Sequence, residues 1–398
     1  MLTFMGLVSC GNGGAAPPGP RGAGAQAGDG GAGAQGGDGG ASAQAGDGGA
    51  SAQGGDDGAN AGNSSAGAAG AAPMCTTTSS LRDAASCSDR LFGTALSTLH
   101  LADTSYASDA LEFNYVTPEN EMKWEHTEAT RNEFTFDEGD QIVDFAMQHD
   151  MKVKGHTLVW HNQLPDWVSA ITDPDDLRAA MTNHITQEMQ HYKGKVIAWD
   201  VVNEAWDPDY PTMLRDSVFS RVLGPSFIDT AFTTARAADP DAKLYYNDYS
   251  AEGLNTKSNS IYAMVMDMKS RGIPIDGVGL QMHWRSVGTA LTAADVVSNM
   301  QRLGALGVDV VISEMDVELC NGGTLDDQKT KFHDMVAACL SQPNCPAVTV
   351  WGITDKYSWL NDVDEGCAAD ETPRPLLWDD GYQKKPAYDG VMNALVGP

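Results

Sequence analysis

Short runs of branched and aromatic apolar residues alternate with longer amphipathic stretches from about residue 76 to the C-terminus. The apolar runs have the length and composition of buried strands, whereas intervening stretches such as residues 137–149 and 259–272 have helical spacing with one apolar face. The pattern predicts eight strands, near residues 90–95, 112–117, 152–159, 196–203, 243–248, 277–283, 308–313 and 347–353.

Eight strand–helix units over roughly 320 residues predict an α/β fold, a single closed (β/α)8 TIM barrel covering residues 76–398. An open doubly wound sheet is the alternative, but no G-x-G-x-x-G turn follows the first predicted strand. In a closed barrel of this kind, functional groups gather at the carboxyl ends of the strands. Polar residues that directly follow the apolar runs are therefore the candidates for a site.

The segment before the predicted barrel, residues 11–75, has a different composition. A nine-residue unit such as AGAQAGDGG repeats from residues 23, 32, 41 and 50, and no aromatic or branched apolar residue occurs up to residue 73. Nothing in such a segment can offset the entropy of ordering its backbone. We predict a disordered, flexible linker.

Residues 1–10 form a short apolar run that ends in small residues before Cys10. This pattern resembles the signal segment of bacterial lipoproteins, in which the cysteine is acylated. It predicts an extracellular or cell-surface protein whose contact with a membrane is a lipid anchor at Cys10. Plain secretion or an accidental match is the alternative, because no basic residue precedes Arg21.

Acidic residues outnumber basic ones strongly, and the formal net charge is −29. The linker carries only five aspartates and one arginine, so most of this charge belongs to the predicted barrel. A surface of this charge would repel nucleic acid and anionic lipid. It is compatible with a neutral polymer as the substrate.

Six cysteines remain when Cys10 is set aside, and an even number in an exported chain favours disulfides. Their positions suggest three pairs as a hypothesis, because fifteen connectivities are possible. The predicted pairs are Cys75–Cys87, Cys320–Cys367 and Cys339–Cys345.

Two glutamates follow short runs rich in valine and isoleucine, Glu204 in WDVVNEAW and Glu314 in VVISEMDVE. Their separation of roughly 110 residues fits three strand–helix units of a barrel. Two carboxylates at the same end of a barrel can converge on one bond. Such a pair is what cleavage of a glycosidic linkage requires.

The other predicted strand ends carry polar and aromatic motifs in a consistent order. They are VTPENEMKWE, KGHTLVWHNQLPDW, YYNDY, GLQMHW and WGITDKYSWL, and PLLWDDGYQKKPAY follows near the C-terminus. Together with the two glutamate motifs, this ordered set resembles family 10 of the glycoside hydrolases, mainly endo-β-1,4-xylanases. The resemblance covers about residues 81–396.

The resemblance implies a retaining endo-β-1,4-xylanase in which Glu204 is the general acid/base and Glu314 the nucleophile. It also implies that His283 and Asp316 orient Glu314, and that Asn203 bonds the sugar 2-hydroxyl. Retention requires the two catalytic carboxyl groups to lie about 5–5.5 Å apart, too close for an intervening water. We expect that separation here.

The same resemblance implies a set of residues that grip sugars on the glycone side of the scissile bond. They are Glu119, Asn120, Lys123, His156, Trp160, Gln163, Gln281, Trp351 and Trp359. Tyr246, Asn247 and Asp248 are expected to line the same rim. Trp124, Trp167 and Trp378 are instead expected to pack in the core.

Xylan and xylo-oligosaccharides are the expected partners of a chain that is expected to be a monomer. The chemistry needs neither metal nor cofactor, and no C-x-x-C or H-x-x-x-H spacing indicates a metal site. The alternatives are a β-1,4-glucanase, a transglycosylase and a glycan-binding protein without turnover.

Overall fold

The computed structural model describes residues 78–284, 288, 290–363, 367–368 and 371–397. The predicted signal segment and the whole predicted linker, residues 11–75 with Cys75, lie outside this range. The described residues belong to one compact unit spanning residues 67–398.

Nine strands are present in the described residues, and eight of them form a closed parallel barrel. The strands are β1 (Leu91–Leu96), β2 (Tyr115–Pro118), β3 (Lys152–Val159), β4 (Val196–Asn203), β5 (Lys243–Asp248), β6 (Gly277–Leu280), β7 (His283–Trp284), β8 (Asp309–Val317) and β9 (Ala347–Val350). Consecutive strands pair from β1 to β6, and the β6–β8, β8–β9 and β9–β1 pairings close the barrel. Within the part of the chain that the structure describes, the two-residue strand β7 pairs only with β8. The predicted (β/α)8 barrel is confirmed.

Helices separate the strands and pack against them, for example the fourth helix on β2 and β3. The α-helices are α1 (Leu81–Cys87), α2 (Thr104–Asp109), α3 (Trp124–Thr127), α4 (Asp137–Gln148), α5 (Asp166–Ser169), α6 (Pro174–His191), α7 (Val218–Leu223), α8 (Ser226–Ala238), α9 (Thr256–Arg271), α10 (Ala293–Gly304), α11 (Leu325–Leu340) and α12 (Pro386–Val396).

Local sequence explains where these helices begin and which face they bury. Reciprocal side-chain caps start α10 at Thr292 and α11 at Thr324, where each threonine accepts a backbone N–H and an aspartate three residues later accepts the threonine N–H. Helix α4 buries Ile142, Val143 and Ala146 on one face. This spacing of three and four residues is the amphipathic pattern that predicted the helix.

The predicted and observed strands agree closely in the middle of the barrel. The predictions for β3, β4 and β5 match in both bounds, whereas those for β1, β2 and β9 differ by one to three residues at an end. The predicted strand 277–283 is wrong as one element, because it breaks between β6 and β7 where Met282 has a φ of +68°. Strand β8 runs past the predicted end at residue 313, so Glu314 lies within a strand rather than at its end.

Bulky and charged side chains fill the barrel interior below the carboxyl ends of the strands. Tyr115 and Tyr245 are buried there, and a Cβ at Gly277 would lie 2.2 Å from Cε1 of Tyr245. Higher up, the Lys154 ammonium lies 2.7 Å from the Asp200 carboxylate. The interior is therefore packed rather than open, as expected for this barrel.

Two of the three predicted disulfides are present, with Cα separations of 4.9 Å for Cys320–Cys367 and 5.3 Å for Cys339–Cys345. The Cys75–Cys87 pairing stays a prediction, because Cys75 lies outside the described residues. Among the helices of the described residues, none combines the length and apolar character that crossing a bilayer demands.

Candidate active site

Glu314 is held by hydrogen bonds on both carboxylate oxygens. The Nδ2 of Asn247, on β5, donates to Oε1 at 2.6 Å, and Nε2 of His283, on β7, lies 3.1 Å from Oε2. The side chain is almost completely buried within β8. Its orientation is therefore set by its own strand and by partners from two others, β5 and β7.

The charges around Glu314 keep it ionised. Burial alone would raise the pKa of Glu314, but the hydrogen bond from His283 and the positive charges of His156, His283 and Lys154 lower it to about 2. For His283, burial opposes the charged form, but Asp316 and Glu314 raise its pKa to about 10. The imidazolium and the carboxylate therefore stabilise one another.

Asp316 is the second partner of His283. Its Oδ2 lies 2.8 Å from Nδ1 of His283 and also accepts a hydrogen bond from Nε1 of Trp359 at 2.9 Å. Asp316 is completely buried, so it acts from behind the cleft surface. It fixes the His283 ring and the Trp359 indole against each other.

Glu204 is the first residue after β4 and has a left-handed backbone with a φ of +55°. Its backbone N–H donates to the carbonyl of Asn247, and its Oε1 accepts from Nε2 of Gln281 at 3.1 Å. The other oxygen lies 3.7 Å from Nη2 of Arg215 and 3.9 Å from Nδ1 of His161. Glu204 is thus held more loosely than Glu314, and its side chain is 13% exposed.

A relay of amides joins the two glutamates through Asn203. The Asn203 Oδ1 accepts from Gln281 at 3.1 Å and from Asn247 at 2.9 Å, and these two amides donate in turn to Glu204 and Glu314. A Cβ at Gly279 would lie 2.1 Å from Oδ1 of Asn247. Glycine at this position of β6 therefore leaves room for Asn247.

Several predicted sugar-binding residues meet around Lys123. The Lys123 ammonium donates to Asn120 at 2.9 Å and to Gln163 at 2.7 Å, and it lies 4.8 Å from the centre of the Trp160 ring. Burial lowers the pKa of Lys123, although the carboxylates of Glu119 and both catalytic candidates oppose that shift.

The remaining predicted residues complete this wall of the cleft. Burial, with a smaller contribution from Glu121, raises the pKa of Glu119 to about 7, and the charge of Lys123 limits the rise. Nδ1 of His156 lies 2.9 Å from Asp200, and the His156 ring meets the Trp351 indole edge-on. Carboxylate, amide and aromatic groups therefore face one space, as sugar binding requires.

The cleft has a volume of about 670 Å³, and every predicted site residue except the buried Asp316 lines it. Five further residues line it without having been predicted as binding residues: His161, Asn162, Arg215, Tyr249 and Ser250. His161, Asn162 and Tyr249 lie inside motifs that the sequence analysis had singled out, whereas Arg215 and Ser250 carry no comparable signal.

The expectation that residues 246–248 line the rim was wrong. Asn247 contacts Glu314, but Tyr246, Asn247 and Asp248 are all completely buried, and none of them lines the cleft. The Tyr246 hydroxyl donates to Asp248, whose carboxylate also pairs with Lys257 at 2.6 Å. Trp124 and Trp378 are buried in the core and Trp167 packs against it, as expected.

Two groups of described side chains have the ligand types and proximity that a metal ion needs. In one of them, Cys320 and Cys367 are joined in a disulfide. In the other, His156, Asp200 and Glu314 lie together, but Lys154 is already paired with Asp200. A cation there would be repelled by the Lys154 ammonium, so the residues do not fit a metal well.

A (β/α)8 barrel with two carboxylates in a polar, aromatic-walled cleft at its carboxyl end has the construction of a glycoside hydrolase. The chain belongs to glycosyl hydrolase family 10, whose sequence model matches residues 80–394. It is 40% identical over 324 residues to endo-1,4-beta-xylanase A of Phanerodontia chrysosporium, covering 79% of this chain and 77% of the relative.

Solved structures show the same similarity. Native xylanase 10B from Thermotoga maritima superposes with a TM-score of 0.75 at 38% identity, covering 79% of this chain and 98% of the other. Xylanase 10B from Thermotoga petrophila RKU-1 in complex with xylobiose superposes with a TM-score of 0.75 at 37% identity, covering 80% and 98%.

Proposed function

We propose that this chain is an endo-1,4-β-xylanase that hydrolyses internal bonds of xylan with retention of anomeric configuration. The observation that supports this most is the different bonding of two carboxylates in one cleft. Glu314 is held ionised by His283, whereas Glu204 lies at the cleft surface beside amide and guanidinium donors. The similar proteins named as xylanases supply the substrate.

In the first step, Glu314 would act as the nucleophile. Its carboxylate attacks the anomeric carbon while the bond to the glycosidic oxygen breaks, and Glu204 gives its proton to that oxygen. The product is a covalent glycosyl ester on Glu314 and a free leaving-group hydroxyl. The His283 hydrogen bond aligns the attacking carboxylate but must weaken as the negative charge is lost.

In the second step, the ionised Glu204 would take a proton from a water molecule that attacks the same anomeric carbon. The bond to Glu314 breaks, the carboxylate returns to its ionised state and Glu204 is protonated again. Two inversions give net retention. The mechanism predicts a carboxyl separation of about 5–5.5 Å.

Lys123, Asn120, Gln163 and Glu119 would hold hydroxyl groups of the glycone sugars. The hydrogen bonds that join Lys123, Asn120 and Gln163 leave these three side chains pre-organised before a sugar arrives. Trp351 and Trp359 offer flat apolar surfaces for sugar rings.

The test is an assay of the purified protein on xylan, carboxymethylcellulose and mannan, with products resolved by length and by anomeric form. We expect short β-xylo-oligosaccharides from xylan and little release from the other two polymers. Reducing ends mainly from carboxymethylcellulose would indicate a glucanase instead, and longer products than substrates would indicate a transglycosylase. Binding of xylan without any product would overturn the assignment as a hydrolase.

We propose further that the protein is exported and anchored at the cell surface through acylated Cys10. The disulfides of the barrel support an oxidising compartment. Labelled palmitate supplied to an expressing bacterium should enter the wild-type chain and not a Cys10→Ala variant. Equal labelling of both chains would exclude Cys10 as the anchor.

A further inference from the structure

Gln281 and His283 each support one of the two glutamates. In the sequence, a single residue separates Gln281 from His283. Gln281 donates to Glu204, and His283 bonds Glu314. The residue between them, Met282, has a left-handed backbone with a φ of +68°. A non-glycine residue in this conformation is strained and persists only when its surroundings hold it.

The contact that holds this turn comes from another loop. The backbone N–H of Met282 donates to Oε1 of Glu252 at 3.2 Å, and Glu252 itself is buried. Glu252 follows β5 and is supported from the outer layer, because Nδ2 of Asn299, on α10, donates to the carbonyls of Ala251 and Glu252. The turn is therefore connected to a rigid helix through one carboxylate.

We infer that Glu252, which touches neither glutamate, is a positioning residue for both. By fixing the turn at Met282, it sets the direction in which Gln281 leaves β6 and the direction in which His283 enters β7. A shift of this turn would misplace the supports of Glu204 and Glu314 at the same time. This inference rests on the proposed function, since it assigns a role within the same reaction.

The variant Glu252→Ala removes the acceptor and should lower kcat by about 10- to 100-fold, the size of effect expected when catalytic groups move by about 1 Å. The loss should be similar on xylan and on an aryl β-xylobioside, because the supports of both glutamates are affected. The shorter Glu252→Asp should lose nearly as much. Glu252→Gln keeps an oxygen acceptor and should retain at least about a third of kcat.

The decisive test is a double variant that should restore the turn at Met282 without the Glu252 carboxylate. Glycine adopts positive φ without steric cost, so the double variant Glu252→Ala/Met282→Gly should recover at least about fivefold in kcat over Glu252→Ala. Loss of the Met282 side chain lowers thermal stability, and kcat is therefore measured well below the melting transition. A residue with a purely structural role would not be rescued in this way.

Glu112→Ala is the matched control. Glu112 also accepts a backbone N–H from a distant segment, that of Leu81, but lies away from the cleft. The Glu112→Ala substitution should lower the melting temperature and leave kcat unchanged.

A folded Glu252→Ala or Glu252→Asp protein with more than half of wild-type kcat would overturn the inference, as would a double variant no better than Glu252→Ala. Because each variant is compared with wild type, a wild-type protein inactive on xylan would count against the proposed function instead.

Discussion

Glu314 lies inside a strand and is hydrogen-bonded on both carboxylate oxygens, whereas Glu204 lies one residue past its strand and, among the described residues, is hydrogen-bonded on one oxygen only. The other oxygen of Glu204 faces Arg215 and His161 at distances too long for hydrogen bonds. A permanently ionised group benefits from a full set of donors. A group that must exchange a proton in each step needs an oxygen that is not permanently engaged.

The surroundings of the two glutamates therefore differ in rigidity as well as in charge. The nucleophile candidate is bound to β5, β7 and, through His283, to Asp316 on its own strand. The acid/base candidate is itself a left-handed residue past its strand, and Arg215, in a loop, donates to its backbone carbonyl. This contrast can be tested by removing one support at a time.

The largest effect is expected from Glu314→Gln, which keeps the shape of the side chain but removes the nucleophile. Turnover should fall by about 10⁴-fold or more, because the covalent step is lost. Binding of xylo-oligosaccharides, measured by calorimetry, should be largely retained. A variant with more than about a hundredth of wild-type kcat would show that another group is the nucleophile.

Glu204→Ala should have the second largest effect, and the effect should depend on the leaving group. Removal of a general acid slows a reaction by about 10²- to 10⁴-fold when the leaving group needs protonation. Natural xylan should therefore be slowed far more than an aryl xyloside with an acidic phenol. Equal slowing of both substrates in steady-state kinetics would contradict the acid role.

His283→Ala should lower kcat/KM by about 10- to 100-fold and move its acid limb to higher pH. The hydrogen bond from His283 lowers the pKa of Glu314, so its loss lets burial raise that pKa again. The pH profile of kcat/KM with an aryl substrate reports this limb in the free enzyme. An unchanged acid limb would mean that His283 does not control the ionisation of Glu314.

His283 should also make stability depend on pH in a defined range. Its pKa is raised from 6.5 to about 10 in the folded protein. The stabilisation is therefore fully present below about pH 6.5 and is lost as the pH rises towards 10. Denaturant unfolding should show a steeper alkaline loss for wild type than for His283→Ala, and parallel curves would count against the ion pair.

The smallest effect is expected from Arg215→Met on the acid/base side. The guanidinium is 3.7 Å from Glu204, partly exposed and bonded mainly to Tyr249 and to the Glu204 carbonyl. Loosely held pairs of this kind contribute little, and kcat/KM should fall by only about two- to fivefold. A loss as large as that of His283→Ala would remove the contrast between the two sides.

Residue patterns were sufficient for the barrel because each strand forms a local apolar run and each helix a local amphipathic stretch. They also placed Glu204 correctly, because β4 ends where the apolar run ends. They failed at β6, where one residue in a left-handed conformation interrupts an otherwise continuous run. The hydrophobic pattern of neighbouring residues cannot predict the φ angle of Met282, because the carboxylate that holds this turn, Glu252, lies in another loop.

The site was predicted less evenly. Motifs at strand ends identified nearly all of the cleft, but Arg215 lies in a loop eleven positions after Glu204 and belongs to no periodic pattern. Tyr246 and Asp248 alternate with Asn247 along β5, and Asp248 pairs with Lys257 of α9 on the face opposite to that of Asn247. Alternation along a strand predicts opposite faces, but which face meets the cleft depends on how the barrel closes.

The chain itself encodes the order of strands and helices, the Gly- and Ala-rich composition before them and the identity of the acidic pair, because all of these arise from neighbouring residues. The bonding that distinguishes Glu314 from Glu204 arises only after folding. Asn247, His283 and Asp316 come from β5, β7 and β8, and strand pairing in the closed barrel brings them together. The hydrogen bond from His283 and the positive charges nearby then keep Glu314 ionised against the opposing effect of burial, and these contributions depend on distances across strands.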